Sequence, residues 1–269
     1  MDAATTSTDG TRIAYDRFGD GPPLIVVGGA LCARTTTRPL AEALAAQFTV
    51  FNYDRRGRGD SGDTAPYAVE REIEDLQALL VEAGGAAGVY GHSSGAALVV
   101  RAAAQGTAIT AVVLHEPPYS PDTAERRQTS ERYTHELGAL LGQNRRGDAV
   151  ALFNALVGVP AQIVAQWRSQ PWWAGMEALA PTLAYDSAVL GHADAGGTIP
   201  FEQLNRITSP ALVLTGGASP PWMTDIGEQV AEALLHGQHV LMKGQQHVVP
   251  PEVLVPVLTR FFTAKGAPA

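Results

Sequence analysis

The chain has 269 residues, 45% of them apolar and 17% charged, with a formal net charge of −8. That length suits one large α/β domain with a well-buried core, and the composition excludes a disordered chain. The acidic balance argues against nucleic-acid partners and anionic membranes, and the single cysteine, Cys32, excludes an intrachain disulfide. The first residues carry neither a basic stretch nor an apolar one, so no secretion signal is expected and a cytoplasmic setting is.

In chain order, Thr5 to Thr8 and Thr11 to Phe18 read as two strands around the Asp9-Gly10 turn. Leu24 to Val27 is a buried strand that runs into Gly28-Gly29. A helix is expected over Leu40 to Gln47 and a strand over Phe48 to Tyr53, followed by the polar, glycine-rich loop from Asp54 to Gly62. Tyr67 to Ala83 has Val69, Ile73, Leu76 and Leu80 on one helical face, and Gly84-Gly85 stop it. Ala87 to Tyr90 is a strand that turns through Gly91 to Gly95 into an alanine-rich helix ending near Ala104. Further strands are expected at Ile109 to Leu114, Ala211 to Thr215 and Val240 to Lys243, and a final helix opens at Pro251 with Pro256 inside it.

Strands alternating with helices predict an eight-stranded, mostly parallel sheet covered on both faces. The core is expected from residues 1–118 and 208–269. Residues 119–207 read as a helical lid insertion, with helices at Pro121 to Leu141, Asp148 to Val157, Ala161 to Ser169 and Met176 to Leu190. The lid holds Trp167, Trp172 and Trp173, candidates for lining an apolar substrate pocket. The competing reading is that they only glue the lid to the core.

Gly91-His92-Ser93-Ser94-Gly95 is a G-x-S-x-G string between a strand and a helix. A nucleophile there stands on a sharp turn with its Oγ exposed, and small neighbours let the helix pack against the strand. Ser93 is therefore the expected nucleophile, and Ser94 is assigned a backbone role only.

Taken together, Gly28-Gly29, Asp54 to Ser61, the Ser93 turn and Gly244-Gln245-Gln246-His247 resemble the α/β-hydrolase superfamily over nearly the whole chain. The resemblance implies an α/β-hydrolase fold, an oxyanion hole from the Ala30 and Ser94 amides, and His247 as the base. The chain departs from the pattern at Gly28, where many members have histidine before glycine. His92 and His115 read as structural, His236 and His239 as surface or structural groups, and His135 and His192 as lid residues. The loop arginines read as ion-paired, and Cys32 as packing.

The usual acid of the superfamily follows the strand at Ala211 to Thr215, but here that stretch reads Gly216-Gly217-Ala218-Ser219. Asp225 falls in an expected helix. Glu116, at the end of the preceding strand, is the alternative acid, an arrangement similar to that of the zearalenone lactone hydrolases. The competing reading makes Glu116 an exposed strand-end carboxylate before Pro117-Pro118.

The expected activity is cleavage of a carboxylic ester or lactone of an apolar small molecule through an acyl-enzyme, with no cofactor and no metal. A perhydrolase, an acyltransferase, a natural-product cyclase or lyase, or a non-catalytic ligand receptor on the same fold are the alternatives.

Overall fold

The computed structural model describes residues 2–191 and 197–266; His192 lies outside them. Eight strands form one sheet in the order β1-β2-β4-β3-β5-β6-β7-β8. They are β1 (Asp2–Thr6), β2 (Arg12–Phe18), β3 (Pro23–Val27), β4 (Thr49–Tyr53), β5 (Ala87–His92), β6 (Ile109–His115), β7 (Ala211–Gly216) and β8 (Gly237–Met242). The β1–β2 and β2–β4 pairs are antiparallel and all the others are parallel.

The central strands are buried and mostly apolar because both sheet faces are covered. Alternate residues serve the two sides. Ile25, Val27, Val89, Val112, Leu114 and Val213 enter one core, and Leu24, Val26, Val113, Leu212 and Leu214 the other. The first core is closed by α2 (Val69–Glu82), α3 (Ser94–Ala104) and α10 (Pro221–Ala233), and the second by α1 (Arg34–Leu44) and α11 (Pro251–Gly266).

Between β6 and β7 lie α4 (Ala124–Gly142), α5 (Arg146–Leu156), α6 (Ala161–Trp167), α7 (Trp173–Leu179), α8 (Leu183–Leu190) and α9 (Phe201–Leu204). The two legs of this insertion run side by side, joined by a Ser120–Thr198 bridge. Its helices have a core of their own, built from Tyr133, Leu137, Leu140, Val150, Val164, Trp173 and Leu183, and Ala30 and Leu31 of the β3–α1 loop pack against it.

Several expected boundaries shift. The helix expected from Leu40 begins at Arg34, with Pro39 inside it. The single helix expected over Met176 to Leu190 is two, separated by a 3-10 turn at Ala180–Thr182 that contains Pro181. Proline lacks the N–H that would continue the ladder. The first strand spans Asp2–Thr6, because Ser7 to Gly10 form the turn. The last strand begins at Gly237 rather than Val240; it is a sheet edge, and Gln238, Val240 and Leu241 are exposed.

Candidate active site

The C-terminal ends of β3, β5, β6 and β7 and the loop after β8 meet at one rim, where open parallel sheets gather their functional groups. Ser93 sits on the turn between β5 and α3 with φ 55° and ψ −124°, a conformation L-residues rarely hold. The local sequence makes this turn possible. A Cβ at Gly91 would lie 2.7 Å from Ala96 Cα, and one at Gly95 would lie 2.4 Å from the Val27 carbonyl oxygen. The Ser93 N–H donates to the His115 carbonyl at 2.9 Å, extending the β5–β6 ladder to the Ser93 turn.

Glu116 follows β6 and is also left-handed, with φ 44°. It is 1% exposed, not an open strand-end carboxylate. Its Oε2 meets His247 Nδ1 at 2.5 Å, while Oε1 accepts from the Gly216 N–H at 2.7 Å and the Ser219 hydroxyl at 2.6 Å. Burial pushes its pKa up, but these hydrogen bonds outweigh burial and the net shift is downward. Asp225, by contrast, is exposed on α10. Ser219, standing where the usual acid is expected, donates its hydroxyl to Glu116.

His92 joins the elements. Its Nε2 lies 2.9 Å from the His247 carbonyl, and its ring stacks obliquely against His247 at 4.5 Å and His115 at 4.9 Å. No hydrogen bond joins Ser93 Oγ to His247 in this arrangement; such bonds are often long before substrate docks. His92 is partly exposed by area, yet its ring is enclosed by these neighbours, and desolvation lowers its pKa to about 4. His115 is buried against the Tyr90 hydroxyl, 2.7 Å from Nδ1, and is pushed well below the usual value by burial and by the other two imidazoles. Both histidines therefore fold neutral.

That has a testable consequence. A histidine whose folded pKa is depressed takes up protons first in the unfolded state, so stability is lost as pH falls below about 6.5. Unfolding by urea should show the free energy dropping from about pH 7.5 to about pH 4.5, with His92 contributing about 2 kcal/mol of that drop. His92→Gln should flatten the profile; an unchanged slope would remove His92 as its source.

The Ser94 hydroxyl does more than expected. It donates to Asp186 of α8 at 2.7 Å and accepts from Arg55 at 3.1 Å. Arg55 also pairs with Glu72 at 2.7 Å, and Arg58 pairs with Asp186 at 2.7 Å. The loop arginines are thus ion-paired and fully buried, in keeping with the expectation of ion pairs. Asp186 carries no signal in the sequence, because it sits 128 residues from Arg58 in the chain. Across the site, a Cβ at Gly29 would lie 3.0 Å from Ser93 Cβ, so the Gly28–Ala30 loop lies directly on the Ser93 turn. Ser94 opens α3, and neither its N–H nor that of Ala30 donates to another group among the described residues. Cys32 is nearby, with burial raising its thiol pKa.

The tryptophans separate. Trp173 is 5% exposed in the core of the insertion, with the Arg168 guanidinium 5.5 Å above its ring. Trp167 packs partly buried against that core and meets Trp172 edge-on at 5.8 Å, and Trp172 is 48% exposed. Trp173→Ala should cost about 3–5 kcal/mol, as for other buried tryptophans. A melting temperature within about 2 °C of wild type would contradict its role in the insertion's core.

The alpha/beta hydrolase family model matches residues 12–253. An alpha/beta hydrolase from Sphaerobacter thermophilus is 49% identical, with a TM-score of 0.87 over 97% of this chain and 100% of that one. A thermophilic esterase from Thermogutta terrifontis, solved with malate bound, has a TM-score of 0.71 at 19% identity over 99% of this chain and 100% of its own, a likeness of fold alone. The N-formylmaleamate deformylase of Pseudomonas putida is 36% identical over 119 residues, which is 42% of this chain and 44% of that enzyme, less than half its length. This chain belongs to the alpha/beta hydrolase family.

Proposed function

We propose that the protein is a serine hydrolase that cleaves a carboxylic ester or lactone of an apolar small molecule through an acyl-enzyme. The observation that carries the reading is the buried Glu116 carboxylate on His247 Nδ1, at the same rim as the strained Ser93 turn. In this reading Ser93 Oγ attacks the carbonyl carbon. His247 takes its proton and returns it to the leaving oxygen, and Glu116 stabilises the imidazolium. The Ala30 and Ser94 amides receive the oxyanion. Water, deprotonated by His247, then releases the acid and restores Ser93. The helical insertion serves as the lid, and Trp167 and Trp172 are its candidates for the pocket wall. We place the activity in the cytoplasm, with no cofactor and with neither nucleic acid nor a membrane as a partner.

The stretch shared with N-formylmaleamate deformylase supports a second reading, hydrolysis of an N-formyl amide by the same residues. One experiment separates them. Esters and lactones of graded acyl size and N-formylmaleamate are offered to the wild-type chain and to Ser93→Ala, with product analysis. Turnover of esters or lactones, dependent on Ser93, supports the first reading. Turnover of N-formylmaleamate alone supports the second. A wild-type chain that a fluorophosphonate fails to label at Ser93 would remove both and favour a ligand receptor.

A further inference from the structure

Arg58 is a fully buried charge, bonded to the loop that lies on the Ser93 turn, that the reaction scheme leaves unused. A guanidinium so placed needs groups that match its charge; both Nη atoms have such partners, while Nε has none among the described residues. One arm, Nη1, donates to the Gly29 carbonyl at 2.5 Å. The other, Nη2, donates to Asp186 Oδ1 at 2.7 Å. The same Asp186 oxygen takes the Arg55 guanidinium at 2.9 Å and the Ser94 hydroxyl at 2.7 Å. Arg55 and Arg58 face Glu72 and Asp186, so the cluster balances its charge.

Peptide geometry gives this arrangement a consequence. A trans peptide is planar, with its C=O and N–H pointing opposite ways. The Gly29 carbonyl and the Ala30 N–H belong to one peptide unit. With the carbonyl drawn toward Arg58, the N–H must point away from Arg58. Gly29 itself lies on the Ser93 turn, and the Ala30 N–H has no acceptor among the described residues. Glycine at 29 leaves this peptide unit easy to rotate unless something holds it. The second amide of the pair belongs to Ser94, whose side chain is tied to the same Asp186.

We propose that Arg58, anchored by Asp186 of α8, is a positioning residue that aims the Ala30 N–H into the oxyanion hole, an inference that rests on the serine-hydrolase reading above. It touches neither substrate nor reacting atoms. Through Asp186 it also ties the helical insertion to both oxyanion donors, so the insertion sets catalytic geometry as well as covering the site.

The test uses the full chain, the best ester or lactone from the substrate panel, and a boronic acid in which boron replaces the carbonyl carbon of the same acyl group. The tetrahedral adduct of that boronate on Ser93 places an oxygen where the oxyanion forms. Wild type is compared with Arg58→Lys and with the charge-balanced pair Arg58→Met and Asp186→Asn. Asparagine at 186 can still accept from Ser94 and Arg55. The balanced pair should lower kcat by about 10- to 100-fold, the lower part of what a lost oxyanion donor costs and below it, because the amide is misaimed rather than removed. Boronate affinity should fall by the same factor, KM should change less than about threefold, and Arg58→Lys should fall between. Folded variants that keep kcat and boronate affinity within about threefold, or that lose only melting temperature, would overturn the proposal. Should Arg58→Lys fail to fold, the balanced pair decides, since it leaves no uncompensated buried charge. A wild-type chain inert to every substrate and boronate would overturn the serine-hydrolase reading itself, which is a different result from an active wild type with unaffected variants.

Discussion

Ser93→Ala should abolish turnover and leave the protein folded. The side chain lost is small, and the Cβ that lies against Gly29 is retained. The left-handed backbone is no worse for alanine than for serine, since both carry a Cβ. The neighbouring hydroxyl cannot stand in, because Ser94 Oγ is committed to Asp186 and Arg55. With the nucleophile gone, kcat should fall on the order of 10⁶-fold, and what remains over water comes from binding and the oxyanion donors. Steady-state kinetics and a thermal melt on the same preparation check this. A folded Ser93→Ala protein with near wild-type hydrolysis would remove Ser93, and with it the assigned chemistry.

Much of this site is legible in the amino-acid sequence, and the reasons are local. The Gly91-to-Gly95 string announces itself because the turn tolerates almost nothing else: a Cβ at either glycine strikes backbone. Glu116 emerges by subtraction, from Ser219 in the place of the usual acid, and the fold brings it to His247. The elements that follow hydrophobic periodicity, such as α2 and the central strands, fall within a few residues of expectation. Where the pattern is weak, so is the reading. The start of α1 is hidden in Arg34-Thr35-Thr36-Thr37, whose β-branched residues argue against a helix, although Leu40 and Leu44 carry the packing. The edge strand β8 lacks a continuous apolar run because one side of it meets water. The Arg58–Asp186 pair has no local signature at all: two charged residues far apart in the chain are ordinarily solvated, and only the closed fold shows them buried together.

Glu116→Gln is expected to lower kcat by about 10⁴-fold with little loss of stability, whereas Asp225→Asn should stay within about twofold of wild type. Which end of the new amide faces which partner decides the outcome. At Oε1 the carboxylate accepts two hydrogen bonds, from the Gly216 N–H and the Ser219 hydroxyl. A glutamine must keep its carbonyl oxygen there, because an amide NH₂ would oppose the fixed Gly216 donor. Its NH₂ is then turned toward His247 Nδ1, where Oε2 now stands. An NH₂ facing Nδ1 demands an acceptor, so the imidazole is held with its proton on Nε2, the nitrogen that has to receive the Ser93 proton. The base is thus locked in the wrong tautomer, and no carboxylate remains to stabilise the imidazolium. Size and backbone are preserved, so the left-handed turn at 116 gains no new strain. Asp225, exposed on α10, has no such station. Kinetics and melting curves for both variants decide the matter: an Asp225→Asn protein as crippled as Glu116→Gln, or a folded Glu116→Gln protein with wild-type kcat, would dismiss Glu116 as the acid.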